Sequence, residues 1–144
     1  MKNIKQKIKA GISIGDLNGV GIEIIIKTFQ DHRMMDFCTP IIFGSSKVIT
    51  HHKKILEEEC HINTIKNIAE AAPKKINLIN LWNEDLDLNI GTASTDLAKY
   101  SFNSLKKAAE ALNNNDIDLL ITAPINKNMI QKEIKDFIGH TEFL

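Results

Sequence analysis

The strongest constraint on the fold is a regular alternation between short apolar segments and longer amphipathic ones. The first unit begins with KAGISIG (residues 9–15), where apolar and polar positions alternate up to a glycine, a pattern typical of a β-strand. VGIEIIIKTFQD (residues 20–31) then places its large apolar residues at helical spacing. The turn GDLNGVG (residues 15–21) joins the two, so the sequence predicts a strand, a glycine-rich turn and a helix.

The same alternation continues along the chain. TPIIFGSS (residues 39–46) predicts a short buried strand after Pro40, followed by a helix that Ser45 or Ser46 caps. That helix is predicted to extend to residue 59, and it is followed by a strand or a connection over 61–68, a strand over 74–82, and a loop or short edge strand over 83–91. A second long helix is predicted to begin at Ser94 or Thr95, to carry an apolar stripe from Leu97 to Leu112, and to stop at residues 113–115. A strand over 116–124 and a helix opened by Asn126 complete the prediction.

Strands that alternate with helices predict an α/β fold, in which a mostly parallel sheet is covered by helices on both faces. Ligands of such sheets bind beyond the carboxyl ends of the strands. Two loops at that edge therefore carry the functional interest: residues 15–21 after the first strand and TAPINK (residues 122–127) after the last. The sequence shows no internal repeat and no linker between domains.

Size and charge narrow the class of function. With 144 residues the chain is long enough for one domain, or most of one, with a real core. Eighteen basic residues balance eighteen acidic ones, which argues against nucleic acid or an anionic membrane as partner and favours a small molecule. No uninterrupted apolar signal region or membrane-length segment is present, so we expect a cytoplasmic protein. Cys38 and Cys60 lack CxxC spacing, which indicates reduced thiols.

The glycine-rich turn admits two interpretations. Its three glycines allow positive φ and let a ligand approach the backbone N–H groups at a helix start. It matches neither the dinucleotide fingerprint GxGxxG nor the phosphate loop GxxxxGK[ST]. The alternative is a tight structural turn in which Asp16 acts as a cap, and the residues alone do not decide between the two.

The two later motifs are polar clusters with similar alternatives. In TAPINK, Lys127 can pair with a phosphate or carboxylate, or Asn126 can cap a helix whose first turn holds a solvated Lys127. In GHTE (residues 139–142), His140 and Thr141 can bind a polar ligand, and Glu142 either orients the histidine or begins a helix.

The other histidines do not indicate a site. His51 and His52 are adjacent on a predicted surface helix with no acid nearby, and His32 and His61 stay unassigned. HExxH, GxSxG and Cys/His clusters are all missing from the sequence. The residues by themselves therefore predict an α/β ligand-binding fold with polar loops and no identified catalytic group.

Four segments in order resemble the PdxA family, the 4-hydroxythreonine-4-phosphate dehydrogenases of pyridoxal phosphate biosynthesis. They are GDLNGVGIEI, GTASTDLAKYSFNSLKKAAEAL, TAPINK and GHTEFL, and the resemblance covers essentially residues 1–144. Because members of that family are about twice as long, the resemblance implies the N-terminal part of such an enzyme: most of its first domain and the start of the crossover to a second. Leu17 and Asn18 stand where the family commonly has a proline after Gly-Asp, which predicts a less rigid loop.

The resemblance implies a three-layer α/β/α fold like that of isocitrate and isopropylmalate dehydrogenases, incomplete here, and a homodimer with its site between domains. The implied reaction is NAD- or NADP-dependent oxidation of 4-phosphohydroxy-L-threonine to a 3-keto acid, which decarboxylates to 3-amino-2-oxopropyl phosphate. A divalent metal (Zn, Mg or Co) assists, with ligands expected beyond residue 144. His140 and Thr141 map onto substrate-binding residues of the family, while Asp16, Asn126 and Lys127 are secondary candidates for the substrate or phosphate vicinity.

Three alternatives remain open. Relatives of this family act on D-threonate or D-erythronate 4-phosphate, and residues 1–144 do not separate these substrates. Phosphate acyltransferases share the broad fold and a TAPxNK-like segment, although GHTE argues against them. A non-catalytic fragment is the third alternative. Residues 1–144 alone should not catalyse, and a sheet without its later strands should leave an unpaired edge and an uncovered apolar face.

Overall fold

A computed structural model describes residues 7–134 of the chain. In chain order the elements are β1 (Ile8–Ser13), α1 (Gly21–Gln30), β2 (Cys38–Gly44), α2 (Ser46–Leu56), β3 (Ile62–Ile65), β4 (Ile76–Asn80), α3 (Ala98–Asn113), β5 (Leu119–Thr122) and α4 (Lys127–Glu133), with short 3-10 turns at His32–Asp36, Ile68–Glu70 and Thr95–Leu97. The described chain alternates strands and α-helices, except that β3 and β4 are joined by a connection with only a short 3-10 turn.

The five strands form one parallel sheet in the order β3-β4-β2-β1-β5. β1 lies between β2 and β5, and Ile12 is in register with Ile42 on one side and Ile121 on the other. This confirms the parallel α/β sheet. It also settles residues 61–68, which contain β3, and residues 83–91, which contain no strand.

Helices cover both faces of this sheet, which confirms the three-layer arrangement. On one face, Ile12 and Ile42 pack with apolar residues of α1 and α2, such as Ile26 and Val48. Because side chains alternate along a strand, Ile41 and Phe43 point to the opposite face, where they pack with Ala108 of α3. α4 joins this second layer through Ile130, which packs against Leu105 of α3.

Helix ends follow the sequence only in part. Ser45 caps α2 by accepting a hydrogen bond from the Val48 backbone N–H, as predicted. The helix stops at Leu56, earlier than predicted, because Glu57 adopts φ 53° and its N–H turns back to the Lys53 and Lys54 carbonyls. The predicted cap of α3 is wrong: a 3-10 turn precedes that helix, and Ser94 makes no capping bond with its side chain.

The outer edge of β5 is unpaired among residues 7–134, as the sequence analysis expected. On its α1 side Leu119 and Ile121 are 38% and 45% exposed. A parallel edge strand with exposed apolar side chains is normally covered in an intact protein. In the described part of the chain, no helix has the length and apolar character needed to cross a membrane.

Candidate functional site

The chain leaves β1 and β5 at the same edge of the sheet, and we call the region beside the loops that follow them the crevice. These strands are neighbours, yet α1, which follows β1, packs on one face of the sheet, and α4, which follows β5, packs on the other. The two connections therefore diverge at the carboxyl edge, the arrangement that creates ligand crevices in parallel sheets. We call residues 15–21 the glycine loop and residues 122–127 the TAPINK loop. The structure thus brings together the two loops that the sequence singled out.

The glycine loop and the TAPINK loop are interlocked by backbone contacts. The Asp16 N–H donates to the Pro124 carbonyl at 2.8 Å, and the Ala123 N–H donates to the Ser13 carbonyl at 3.1 Å. Gly15 has φ 71°, and a Cβ added there would lie 2.2 Å from the Pro124 carbonyl oxygen. The close approach of the two loops therefore requires glycine at this position.

Asp16 forms the tight turn that was one of the two alternatives, although it does not cap the helix. Its carboxylate accepts a hydrogen bond from the Asn18 N–H at 3.1 Å, and its carbonyl accepts one from the Gly19 N–H, which makes an Asx turn inside the glycine loop. The residue before α1 is Val20, which provides no side-chain cap. The amino end of α1 therefore presents backbone N–H groups beside the crevice without a side-chain acceptor from its cap position.

On the opposite side of the crevice, Asn126 caps α4. Its side-chain oxygen accepts a hydrogen bond from the Met129 N–H at 3.2 Å. Lys127 is the first residue of α4, and its side chain is exposed. The structural interpretation of this pair is confirmed, and Lys127 stands at the end of the loop whose Ala123 and Pro124 contact β1 and the glycine loop.

Asn18 links the glycine loop to a third connection, which the sequence analysis predicted as a loop or short edge strand over 83–91 but did not associate with the site. We call residues 83–94, between β4 and α3, the strap. Asn18 is only 2% exposed; its Oδ1 accepts from the Asn89 N–H at 2.9 Å and its Nδ2 donates to the Thr92 carbonyl at 3.0 Å. Its own carbonyl accepts from the Gly91 N–H at 2.7 Å. These bonds restrain the loop at the point where the sequence predicted a loss of rigidity.

His52 supports the glycine loop from behind, which corrects the prediction of a surface histidine. The side chain is 3% exposed, and its Nε2 lies 2.7 Å from the Leu17 carbonyl oxygen. Because a carbonyl only accepts, Nε2 carries the proton in the neutral ring. Burial lowers the pKa of His52; the bond to Leu17 and the charges of Glu23 and Asp16 oppose this shift, while His51 adds to it.

We predict that His52 makes stability depend on pH. Below the ordinary pKa of histidine, about 6.5, the unfolded chain takes up a proton that the buried folded ring resists. The stability that His52 contributes is thus present above that pH and is lost as pH falls towards the lowered folded pKa. Urea unfolding measures the free energy of unfolding at pH 7 and at pH 5.5. Between these two pH values His52→Gln should lose less of it than the wild type, with a difference of up to about 1.4 kcal/mol per pH unit.

The exposed His61 supplies the matched control, because its substitution by glutamine removes an imidazole without touching the glycine loop. His61→Gln should retain the pH dependence of the wild type. An equal pH dependence in His52→Gln and the wild type would show that His52 is not the responsible group.

The described residues offer no metal centre. Within residues 7–134, no group of three or more His, Cys, Asp or Glu side chains is placed to hold a metal ion. Cys38 and Cys60 are free thiols, as predicted, and burial raises the pKa of each. A protonated, sheltered thiol is a poor nucleophile and a poor metal ligand.

His140 and Thr141, the principal substrate-binding candidates, lie outside the described residues. What the described crevice offers is an anion-binding environment: the amino end of α1 on one side and the exposed Lys127 on the other. Both features favour an anion, such as a phosphate or carboxylate, over a cation. No described residue in the crevice is identified as an acid or base for catalysis.

Comparison with known proteins identifies the family. The family model for PdxA, the pyridoxal phosphate biosynthetic protein, matches residues 36–144. A 4-hydroxythreonine-4-phosphate dehydrogenase of Bacteroides thetaiotaomicron is 37% identical over 140 residues, which cover 97% of this chain and 38% of that protein. A Fusobacterium nucleatum protein with the provisional name D-threonate 4-phosphate dehydrogenase is 36% identical over 141 residues, or 96% of this chain and 42% of that protein.

The fold has a similarly close counterpart. A crystal structure of a 4-hydroxythreonine-4-phosphate dehydrogenase from Burkholderia phymatum superposes with a TM-score of 0.88 at 29% identity, covering 97% of this chain and 43% of the other. The chain spans about two fifths of the length of the curated relatives it matches.

Proposed function

Because this chain belongs to the PdxA family of pyridoxal phosphate biosynthetic proteins, we propose that the protein carrying it is an NAD-dependent dehydrogenase of 4-phosphohydroxy-L-threonine. Oxidation of the secondary alcohol gives a 3-keto acid, which loses carbon dioxide to leave 3-amino-2-oxopropyl phosphate. In this proposal residues 1–144 form the N-terminal part of the enzyme, which works as a cytoplasmic homodimer with NAD or NADP.

The observation that supports this proposal best is the meeting of the glycine loop and the TAPINK loop at one carboxyl edge of the sheet. A phosphorylated substrate needs donors and positive charge, and the amino end of α1 and Lys127 provide both at adjoining strand ends. We assign His140 and Thr141 to direct contact with the substrate. Asp16 acts indirectly, by shaping the glycine loop, and Asn126 by fixing the start of α4 next to Lys127.

A divalent metal (Zn, Mg or Co) would polarise the oxygen of the alcohol as it is oxidised. Residues 7–134 do not fit such an ion, since they contain no suitable group of ligands. No step is therefore assigned to a metal within this part of the chain, and its ligands are proposed to lie beyond residue 144.

The test uses the complete protein, expressed with any sequence that follows residue 144 in its gene. We predict that His140→Ala weakens binding of 4-phosphohydroxy-L-threonine by about 1.5–3 kcal/mol, roughly a factor of 10 to 150 in Kd, because a charge-assisted contact to phosphate is lost. Isothermal titration calorimetry measures this directly. His61→Ala, an exposed histidine before β3, is the control and should bind as the wild type does. Unchanged binding in His140→Ala would refute the assignment.

The alternative substrate is D-threonate 4-phosphate or its D-erythronate isomer, favoured by the Fusobacterium relative. NADH formation with each phosphorylated acid, measured at matched concentrations, separates the two proposals. Turnover of none of these substrates would reject both dehydrogenase assignments. It would leave the phosphate acyltransferase and the non-catalytic fragment, for which acyl transfer to phosphate is the next assay.

A further inference from the structure

The strap is the longest connection in the described chain that lacks regular structure. It leaves the end of β4 and leads to α3, which packs against β2, β1 and β5, so it passes over the carboxyl edge of the sheet. Most of its residues are exposed, and only Leu86 and Leu88 pack partly against the core. Long loops of this kind in compact domains are usually active-site lids or binding loops.

Asn18 fixes the far part of the strap to one wall of the crevice. Its side chain accepts from Asn89 and donates to Thr92, and a primary amide is suited to doing both at once. A carboxylate would keep the acceptor and lose the donor. Gly91, between the two anchor points, has φ 88°, and an added Cβ would have no atom within 4 Å. The turn there is thus shaped by Asn18 and by backbone conformation, without packing around Gly91.

We propose that Asn18 is a positioning residue that holds residues 89–92 beside the glycine loop and so sets the opening of the crevice to its ligand. The identity of that ligand as a phosphorylated hydroxy acid rests on the proposed function; the restraint of the strap does not. In this proposal Asn18 acts through the strap and has no contact with the reacting atoms.

Amide hydrogen exchange, followed by NMR on the complete protein, tests the restraint. Asn18→Ala removes the acceptor of the Asn89 N–H, which should exchange about tenfold faster, the usual effect of one lost hydrogen bond. The Gly91 N–H should change less, since it donates to the backbone carbonyl of residue 18. Asn18→Asp keeps the acceptor and should keep Asn89 protected. Asn67→Ala is the control, because Asn67 is exposed and makes no capping bond with its side chain.

Unchanged exchange at Asn89 in Asn18→Ala would overturn the proposal. Gly91→Ala provides a second route that leaves Asn18 in place: the strained backbone should also speed exchange at Asn89. This variant decides the question if substitution of the buried Asn18 prevents folding, and an unaltered Asn89 amide in Gly91→Ala would then count against the restraint.

Steady-state kinetics of the complete protein test the consequence for the ligand. Asn18→Ala should raise KM for the phosphorylated substrate about tenfold while kcat changes less than about threefold, because the reacting groups are untouched. An unchanged KM in an active Asn18→Ala enzyme would overturn the positioning role. If the wild type turns over none of the phosphorylated acids, the proposed function fails, and the exchange measurements still decide whether Asn18 restrains the strap.

Discussion

Gly15→Ala should destabilise the fold by about 3–5 kcal/mol, near the upper end for single substitutions. Two effects combine. The left-handed backbone at φ 71° costs a residue with a Cβ about 1–2 kcal/mol, and that Cβ would lie 2.2 Å from the Pro124 carbonyl oxygen. To relieve the overlap, the glycine loop must move away from the TAPINK loop, which breaks the bond from the Asp16 N–H to Pro124. Chemical denaturation of residues 1–144 measures the loss.

Gly91→Ala separates the two effects. Gly91 has a similar φ of 88°, but its added Cβ would meet no atom within 4 Å. Gly91→Ala should therefore lower the unfolding free energy only through the strained backbone conformation, by about 1–2 kcal/mol. If the two variants lost equal unfolding free energy, the contact between the glycine loop and the TAPINK loop would contribute nothing measurable to stability.

The sequence predicts the framework of this site because periodicity reports which residues face the sheet. Alternation located β1 and the apolar runs located β2 and β5, and the rule that ligands gather at the carboxyl ends of parallel strands placed residues 15–21 and 122–127 at one edge. Their direct contact follows from the pairing of β1 with β5, which local patterns do not contain. The comparisons then confirmed the family that the four motifs indicated.

Polar residues were predicted less well, because a hydrogen-bond partner distant in the chain leaves no periodic signal. Asn18 binds backbone groups more than seventy residues away, as the separations of 71 and 74 show. His52 did leave a signal: it follows Val48 and Ile49 at helical spacing, so the apolar stripe of α2 includes it. The prediction took His51 and His52 together as an exposed pair and therefore missed that His52 is buried.

Ser104 shows the same limitation and leads to the second large effect. The apolar stripe predicted for α3 omitted it, yet Ser104 is fully buried where β1 and β2 approach the glycine loop. Its hydroxyl accepts from the Ile14 N–H at 3.0 Å and donates to the Phe43 carbonyl oxygen. One side chain of α3 thereby bridges two neighbouring strands of the sheet.

Ser104→Ala should cost about 2–4 kcal/mol, because it leaves two buried backbone groups without this partner at a position that water does not reach. Ser13→Ala is the matched control: Ser13 on β1 is also buried, but its hydroxyl has no hydrogen-bond partner among residues 7–134, so its removal should lower the unfolding free energy by less than about 1 kcal/mol. Denaturation of both variants gives the comparison.

Because Ile14 leads directly into the glycine loop, Ser104→Ala should also speed amide exchange at Ile14 and Asp16. Equal stability of the two variants would mean that the strands are held together at this edge by their own ladder, without the bridge from α3.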